Sequence, residues 1–280
     1  MEPLTVAIEA AHQAGELILQ RFRRPQEVRA KGPQDVVTEA DLEAEEAIVR
    51  CLRKAFPEDQ FLGEEGHRAT SDASRVWVID PLDGTRNYTV GFPFFCTSIA
   101  LSIQGKAVLG VIHDPVHGET FSALAGQGAC LNGQRVRLTP KAALGQAILY
   151  VGFLPAGNPK NPGLALPMFN RLRPSTLAMR NMGSAALSLA YLACGRLDIA
   201  YHDYLSAWDV LAGALLISEA GGIATDFAGK PISISSCNII AASSPGLYAP
   251  VLQIAQQVMD ERKTGAKRAD LSPGSLPRVC

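Results

Sequence analysis

The chain has 280 residues, with 26 Lys+Arg against 27 Asp+Glu, a formal net charge of −1, 47% hydrophobic and 19% charged residues. This is the balance of an ordinary globular protein, as one large domain or two intimately packed ones, and it leaves no basic face for a nucleic acid. A charged substrate must therefore be met locally, by a metal or by backbone N–H groups.

Leu4, Ile8, Ala11, Gly15, Ile18 and Phe22 recur at spacings of three and four and predict a first helix, which the basic, Pro-containing run 23–33 ends. Thr38-Glu39-Ala40-Asp41 has the form of a capping box, and Leu42, Ile48, Val49, Leu52 and Phe56 supply the apolar face of a second helix. A short β-prone run at 76–79 breaks at Asp80-Pro81-Leu82-Asp83-Gly84-Thr85. Strands and tight turns then follow at 95–103, 107–112 and 120–124, with Asn132-Gly133 as a type I′ hairpin turn, so that 94–138 reads as an antiparallel meander. Beyond about residue 145, strands at 147–151, 197–201, 223–225 and 239–242 alternate with helical stretches at 185–194, 210–220 and 250–259. The expected organisation is an N-terminal α+β half over 1–145, a C-terminal α/β half over 146–260 and a disordered tail over 261–280. Cys51, Cys96, Cys130, Cys194, Cys237 and Cys280 form no C-x-x-C pair, which favours reduced thiols over a zinc site or a disulfide framework. The N-terminus lacks a signal-peptide core and no apolar stretch reaches spanning length, so the expectation is a cytoplasmic protein with no membrane segment.

The densest chemical signal is Trp77-Val78-Ile79-Asp80-Pro81-Leu82-Asp83-Gly84-Thr85-Arg86-Asn87-Tyr88. An apolar strand delivers two carboxylates to a point where Pro81 ends the pairing and frees the Leu82 carbonyl. Oxygen-only ligands suit a hard cation such as Mg²⁺. Gly84 lets a ligand approach the backbone, and the N–H groups from Gly84 and Thr85 onward can point at a phosphate if a helix begins there. By itself the segment is equally well an Asp-Pro/Asp-Gly turn at a strand end. Two further acidic groups stand far away in sequence: Gly63-Glu64-Glu65-Gly66 in a loop, and Ala207-Trp208-Asp209 opening an apolar helix that closes on Glu219-Ala220-Gly221-Gly222. Each has a plain alternative, a solvated loop in one case and a dipole-stabilised first-turn acid in the other.

Taken with Asp35-Val36-Val37-Thr38-Glu39-Ala40-Asp41, these blocks match in order and spacing the signatures of the inositol monophosphatase family, which the chain resembles from about Leu4 to Met259. The resemblance implies a layered αβαβα sandwich of the α+β / α/β class and a homodimer. It also implies a lithium-sensitive phosphomonoesterase using two or three Mg²⁺ ions on a small phosphorylated metabolite. By the same likeness Glu64, Asp80 and the Leu82 carbonyl hold a first ion, Asp80, Asp83 and Asp209 a second, and Glu64 lies near a third. Asp41 and Thr85 stand by the nucleophilic water, which they orient together with Glu64 for in-line attack on phosphorus. Gly84 and Thr85 offer N–H groups to the phosphate. Gly183-Ser184-Ala185, His202 and Asp209 fall where the family touches the rest of the substrate, Lys31 about where it carries a mobile-loop lysine, and Glu65 beside the ligand Glu64.

His202 departs from the pattern, since the family often has a Glu there to contact a ring hydroxyl, and an imidazole offers only one point of contact. Strict inositol specificity is therefore open. Fructose-1,6-bisphosphatase, histidinol phosphatase and 3′-phosphoadenosine phosphatase are the rivals on the same scaffold. The last ranks lowest because Arg86-Asn87-Tyr88 follows Thr85 where the nucleotide type usually has a Lys-Glu or Lys-Gly pair. A reading of another class is a binding partner of the transcription machinery; the complete acidic set argues against a dead enzyme, because clustered carboxylates repel one another.

Overall fold

The computed structural model describes residues 2–24, 27–32, 35–70, 73–152 and 163–270. The first helix, α1 (Pro3–Arg21), turns Val6, Ala7, Ala10, Ala11, Ala14 and Ile18 inward on one stripe. An antiparallel ribbon, β1 (Val28–Gly32) and β2 (Asp35–Thr38), follows where the sequence shows only a basic run, and it leads into α2 (Glu39–Ala55). The Asp41 carboxylate accepts from the Thr38 N–H at 2.8 Å and from the Thr38 hydroxyl at 2.6 Å, which anchors the first turn of α2.

The first sheet has seven strands in chain order: β3 (Gln60–Gly63), β4 (Arg75–Asp83), β5 (Cys96–Ile103), β6 (Lys106–Asp114), β7 (Glu119–Leu124), β8 (Gly128–Leu131) and β9 (Gln134–Val136). From β4 onward it is the expected meander, and β3 adds one parallel edge. Asn132 and Gly133 join β8 to β9 with φ of 48° and 75°, the two positive angles of a type I′ turn. On β4 and β5, Trp77, Ile79, Ile99 and Leu101 pack toward α1 and α2, whereas Val76, Val78 and Ala100 face the opposite core. A strand buried on both faces shows no polar alternation, which is why this region reads as a continuous apolar run.

That second core is filled by α5 (Ala185–Ala193) and α6 (Ala207–Glu219), which also pack on the second sheet. This sheet has five strands, β10 (Ile148–Gly152), β11 (Ala178–Arg180), β12 (Ile199–His202), β13 (Ile223–Thr225) and β14 (Ile239–Ala242), in the order β11-β10-β12-β14-β13. Its far face is covered by α4 (Ala165–Leu172) and α7 (Pro245–Asp270) around Leu149, Val151, Ile199, Tyr201 and Ile240. The layers are thus helix, sheet, helix, sheet, helix: an αβαβα sandwich. Enclosure between two sheets accounts for the nearly uniform burial of α5 and α6.

Four further elements differ from the sequence reading. The strand β4 does not stop at Pro81 but continues to Asp83 with a bulge, the register passing from Asp80↔Ser98 to Asp83↔Cys96. Short β11 and the helix α4 lie in a stretch that carries no strong periodicity. The last helix continues to Asp270 where a tail was expected from 261, because Asp260 to Asp270 is rich in helix-favouring Glu, Arg, Lys and Ala that propagate the helix without an apolar stripe; residues 271–280 lie outside the described residues. No described helix is long and apolar enough to cross a membrane, and the five described cysteines are free.

Candidate metal centre and phosphate cleft

The bulge in β4 sets the geometry. One extra residue between Asp80 and Asp83 re-aims the strand end so that both carboxylates turn to the same side, while the Thr97 hydroxyl donates to the Pro81 carbonyl at 2.9 Å and holds the distortion. Gly84 then takes φ of 99°, and a Cβ there would stand 3.0 Å from the Phe94 carbonyl oxygen, so the turn into the short helix α3 (Thr85–Thr89) requires glycine. Asn87 ties α3 to the second half of the chain by donating to the Phe94 and Met182 carbonyls at 2.7 Å each.

Around this turn opens a cleft of about 350 Å³. Glu64, Asp80, Leu82, Asp83, Gly84, Thr85, Gly183, Ala185, His202 and Asp209 all line it, joined by Val36, Arg86, Asn87, Tyr150, Gly152, Asn181, Tyr204 and Leu205. Asp80, Asp83 and Asp209 each bring an oxygen within 4.8 Å of the others, the only such acidic or metal-ligating group among the described residues. Asp209 reaches the cluster from the third position of α6, where its carboxylate accepts from the Ser206 N–H at 2.6 Å. Asp41 stands behind the cleft, 1% exposed, and accepts at Oδ1 from the Thr85 hydroxyl at 3.2 Å; the same hydroxyl lies 3.0 Å from the Leu82 carbonyl oxygen.

Crowding shows in the acidities. Burial, then the charges of Glu64, Asp83 and Asp209, push the Asp80 carboxyl well above its ordinary value. Asp83 is pushed up to about 6 by burial, against the pull of hydrogen bonds from Ser184 and from the Ala186 N–H at 2.7 Å. Asp41 also rises to about 6, again chiefly by burial.

Across the cleft His202 moves the other way. It is 8% exposed, and burial lowers it to about 4, so it is neutral at physiological pH. Its Nδ1 lies on the Asp203 carbonyl oxygen. Since a carbonyl only accepts, Nδ1 carries the proton and Nε2 is left as an acceptor. Gly152 makes room for the ring: a Cβ there would stand 1.5 Å from His202 Cδ2.

Ser184 and Glu65 do not line the cleft, and the Lys31 expectation falls on a side chain outside the described residues. Ser184 is fully buried, with its hydroxyl bonded to Asp83 and capping α5 through the Leu187 N–H, so its side chain supports a carboxylate and does not line the cleft. Glu65 is held through its backbone by Glu45. Lys31 lies on β1, with its side chain outside the described residues. The residues missed by sequence reasoning, Tyr150, Gly152, Asn181, Tyr204 and Leu205, belong to no motif. Of the other histidines, His67 bonds Glu45 and His113 bonds the Thr120 hydroxyl.

The fold and cleft together define a layered α+β protein with a carboxylate cluster that could hold a divalent cation. The chain belongs to the inositol monophosphatase family, a family of phosphatases, which it matches over residues 1–260. It is similar to the Nus factor SuhB of Pseudomonas aeruginosa, 42% identical over 87% of this chain and 93% of that one, and to inositol monophosphatase 2 of Solanum lycopersicum, 37% identical over 87% and 94%. Among solved structures it is similar to the IMPase of Thermotoga maritima, with a TM-score of 0.84 and 34% identity over 93% of this chain and 99% of that one.

Proposed function

We propose that this chain is a Mg²⁺-dependent phosphomonoesterase acting on a small phosphorylated polyol or sugar, with myo-inositol monophosphate the first candidate. The observation that carries the reading is the convergence of Asp80, Asp83 and Asp209, drawn from positions up to 129 residues apart, in a cleft that Glu64 and Thr85 also line. The donor set is all oxygen, as a hard cation requires. Burial and then the charges of Glu64, Asp83 and Asp209 push the Asp80 carboxyl up, and a cation would relieve both. Glu64, Asp80 and the Leu82 carbonyl would hold one ion, Asp80, Asp83 and Asp209 a second, with a weaker third near Glu64. The chemistry such ions supply is a more acidic water and neutralised charge on the phosphoryl and leaving oxygens.

The chain's own groups do the rest. Thr85 commits its proton to Asp41 or to Leu82, which leaves its lone pairs to orient a water in the cleft. Asp41, with its carboxyl near 6, is poised to receive a proton through Thr85 at neutral pH. The left-handed turn at Gly84 presents the first N–H groups of α3 to phosphate oxygens. His202 Nε2 accepts from a substrate hydroxyl on the far side.

A panel of esters tests this: inositol, sugar, histidinol and 3′-phosphoadenosine monophosphates and fructose-1,6-bisphosphate, each with and without Mg²⁺. The expected result is Mg²⁺-dependent release of phosphate, greatest for the polyol and sugar esters. The likeness to the Pseudomonas Nus factor supports a second reading, a binding role in transcription, alone or alongside catalysis. A folded chain that hydrolysed none of the esters would leave that second reading standing.

A further inference from the structure

We propose that Glu45 is a positioning residue for the first metal ligand: its buried carboxylate gathers the loop after Glu64 and thereby fixes Glu64 beside Asp80. This rests on the metal-dependent reading above. Glu45 lies on α2 and is 2% exposed, a depth at which a carboxylate is costly unless fully hydrogen-bonded. The bonds that satisfy it all run to the loop. Oε2 accepts from the Glu65 N–H at 2.8 Å; Oε1 accepts from the Gly66 N–H at 2.9 Å, the His67 N–H at 3.2 Å and His67 Nδ1 at 2.8 Å.

The approach is close enough to dictate sequence. A Cβ on Gly63 would stand 2.4 Å from Glu45 Oε2, so the residue before Glu64 must be glycine for the carboxylate to lie beneath it. Glu64 itself is pinned on its amino side, where its N–H donates to the Ile79 carbonyl at 3.1 Å and extends the β3–β4 pairing up to the residue before Asp80. Glu45 grips the very next amide. Between these two holds the backbone of Glu64 is fixed, and its side chain lies within hydrogen-bond reach of the Asp80 carboxyl. The Gly-Glu-Glu-Gly segment therefore divides its labour: one Glu faces the cleft, and the residues after it serve as handles for an acid 19 residues upstream.

Charge matters as well as shape. Four donors converge on two oxygens, and a glutamine has only one acceptor oxygen; its amide nitrogen would meet an N–H head-on. Glu45→Gln therefore releases part of the grip with almost no change of volume. Outer partners of this kind usually change metal affinity by ten- to a hundredfold.

The experiment is calorimetric titration of Mg²⁺ into the full chain at neutral pH, for the wild type, Glu45→Gln, Glu64→Gln and the double variant, with circular dichroism to verify folding. The expected result is a roughly tenfold or greater loss of Mg²⁺ affinity in Glu45→Gln, and little further loss when it is added to Glu64→Gln. Wild-type affinity in Glu45→Gln, or losses that simply add, would overturn the proposal while leaving the phosphatase reading intact. A wild type that binds no Mg²⁺ would overturn both. If Glu45→Gln does not fold, His67→Ala, which removes one of the four donors, decides: a several-fold loss of affinity supports the proposal and an unchanged affinity overturns it.

Discussion

One wall of the cleft is made of carboxylates crowded together, and the other is built around the His202 imidazole, which burial keeps neutral at physiological pH. Glu64, Asp80, Asp83 and Asp209 stand on the first; Tyr150, Gly152, His202, Tyr204 and Leu205 stand on the second. The acidic wall is held by backbone. Asp41 and Asp209 are each the third residue of a helix whose cap their carboxylates accept from, and Asp41 keeps its second oxygen for Thr85. The same local bond that starts a helix thus aims a functional acid, so the wall is rigid because its helices are. The neutral wall is held by packing, with His202 seated over a glycine and turned by one carbonyl. The proposed function gives chemistry to the first wall and choice of substrate to the second, a division that mutations can break.

Asp83→Asn should have the largest effect. The amide keeps an acceptor for Ser184 and the Ala186 N–H but loses the charge, so turnover with Mg²⁺ should fall on the order of 10²–10³-fold while the circular dichroism spectrum is unchanged. Near-normal turnover would detach the acidic wall from catalysis. Thr85→Ala comes next. It removes the hydroxyl that links Asp41 to the cleft, and kcat should drop by roughly a hundredfold with KM little altered. Thr85→Ser, which retains the hydroxyl, should recover most of that loss.

A smaller effect with a different signature is expected from Gly152→Ala. The new methyl would overlap the His202 ring, which must leave its place and take its acceptor with it. Losing one neutral hydrogen bond to a substrate hydroxyl costs about 1 kcal/mol, so KM for polyol esters should rise by about five- to tenfold. Mg²⁺ affinity should stay at the wild-type value. A change in metal binding instead of KM would show that the two walls are not separable.

The same contrast explains what the sequence discloses. The acidic wall is legible because its ligands sit in compact blocks whose local geometry is encoded nearby: Thr38 with Asp41, Ser206 with Asp209, and Gly84 after Asp83. The meander and its Asn132-Gly133 turn are legible for the same reason, since turn chemistry is local. The neutral wall is not. Tyr150 and Gly152 acquire meaning only through the β10–β12 register that sets Gly152 opposite His202, and nothing near residue 152 records that pairing. Glu45 is hidden likewise: on a helix it looks like one more surface acid, and only the tertiary approach of the 63–67 loop reveals it. The ribbon β1–β2 and the helical extension to Asp270 escape because neither carries an apolar stripe, the signal on which the sequence reading depends.

The smallest effect is a pH dependence in which the walls oppose each other. Asp83 titrates near 3.8 when unfolded and about 6 when folded, so between those values the native chain holds a proton that the unfolded chain has released. Its contribution to the stability of the metal-free protein is complete below the lower value and is lost as pH rises through about 6. His202 falls from 6.5 to about 4 on folding, so its contribution is complete above 6.5 and is lost as pH drops toward 4. In the metal-free protein the two slopes partly cancel between about pH 4 and pH 6.5. Glutamine at position 202 keeps a polar side chain but cannot titrate. His202→Gln should therefore raise the melting temperature at about pH 5 relative to about pH 7 by a few degrees, while Asp83→Asn should lower that difference. Saturating Mg²⁺ should stabilise the wild type more at the higher pH, where it no longer competes with protons for Asp80 and Asp83. Identical pH profiles for the wild type and both variants would mean that neither wall changes its proton count on folding.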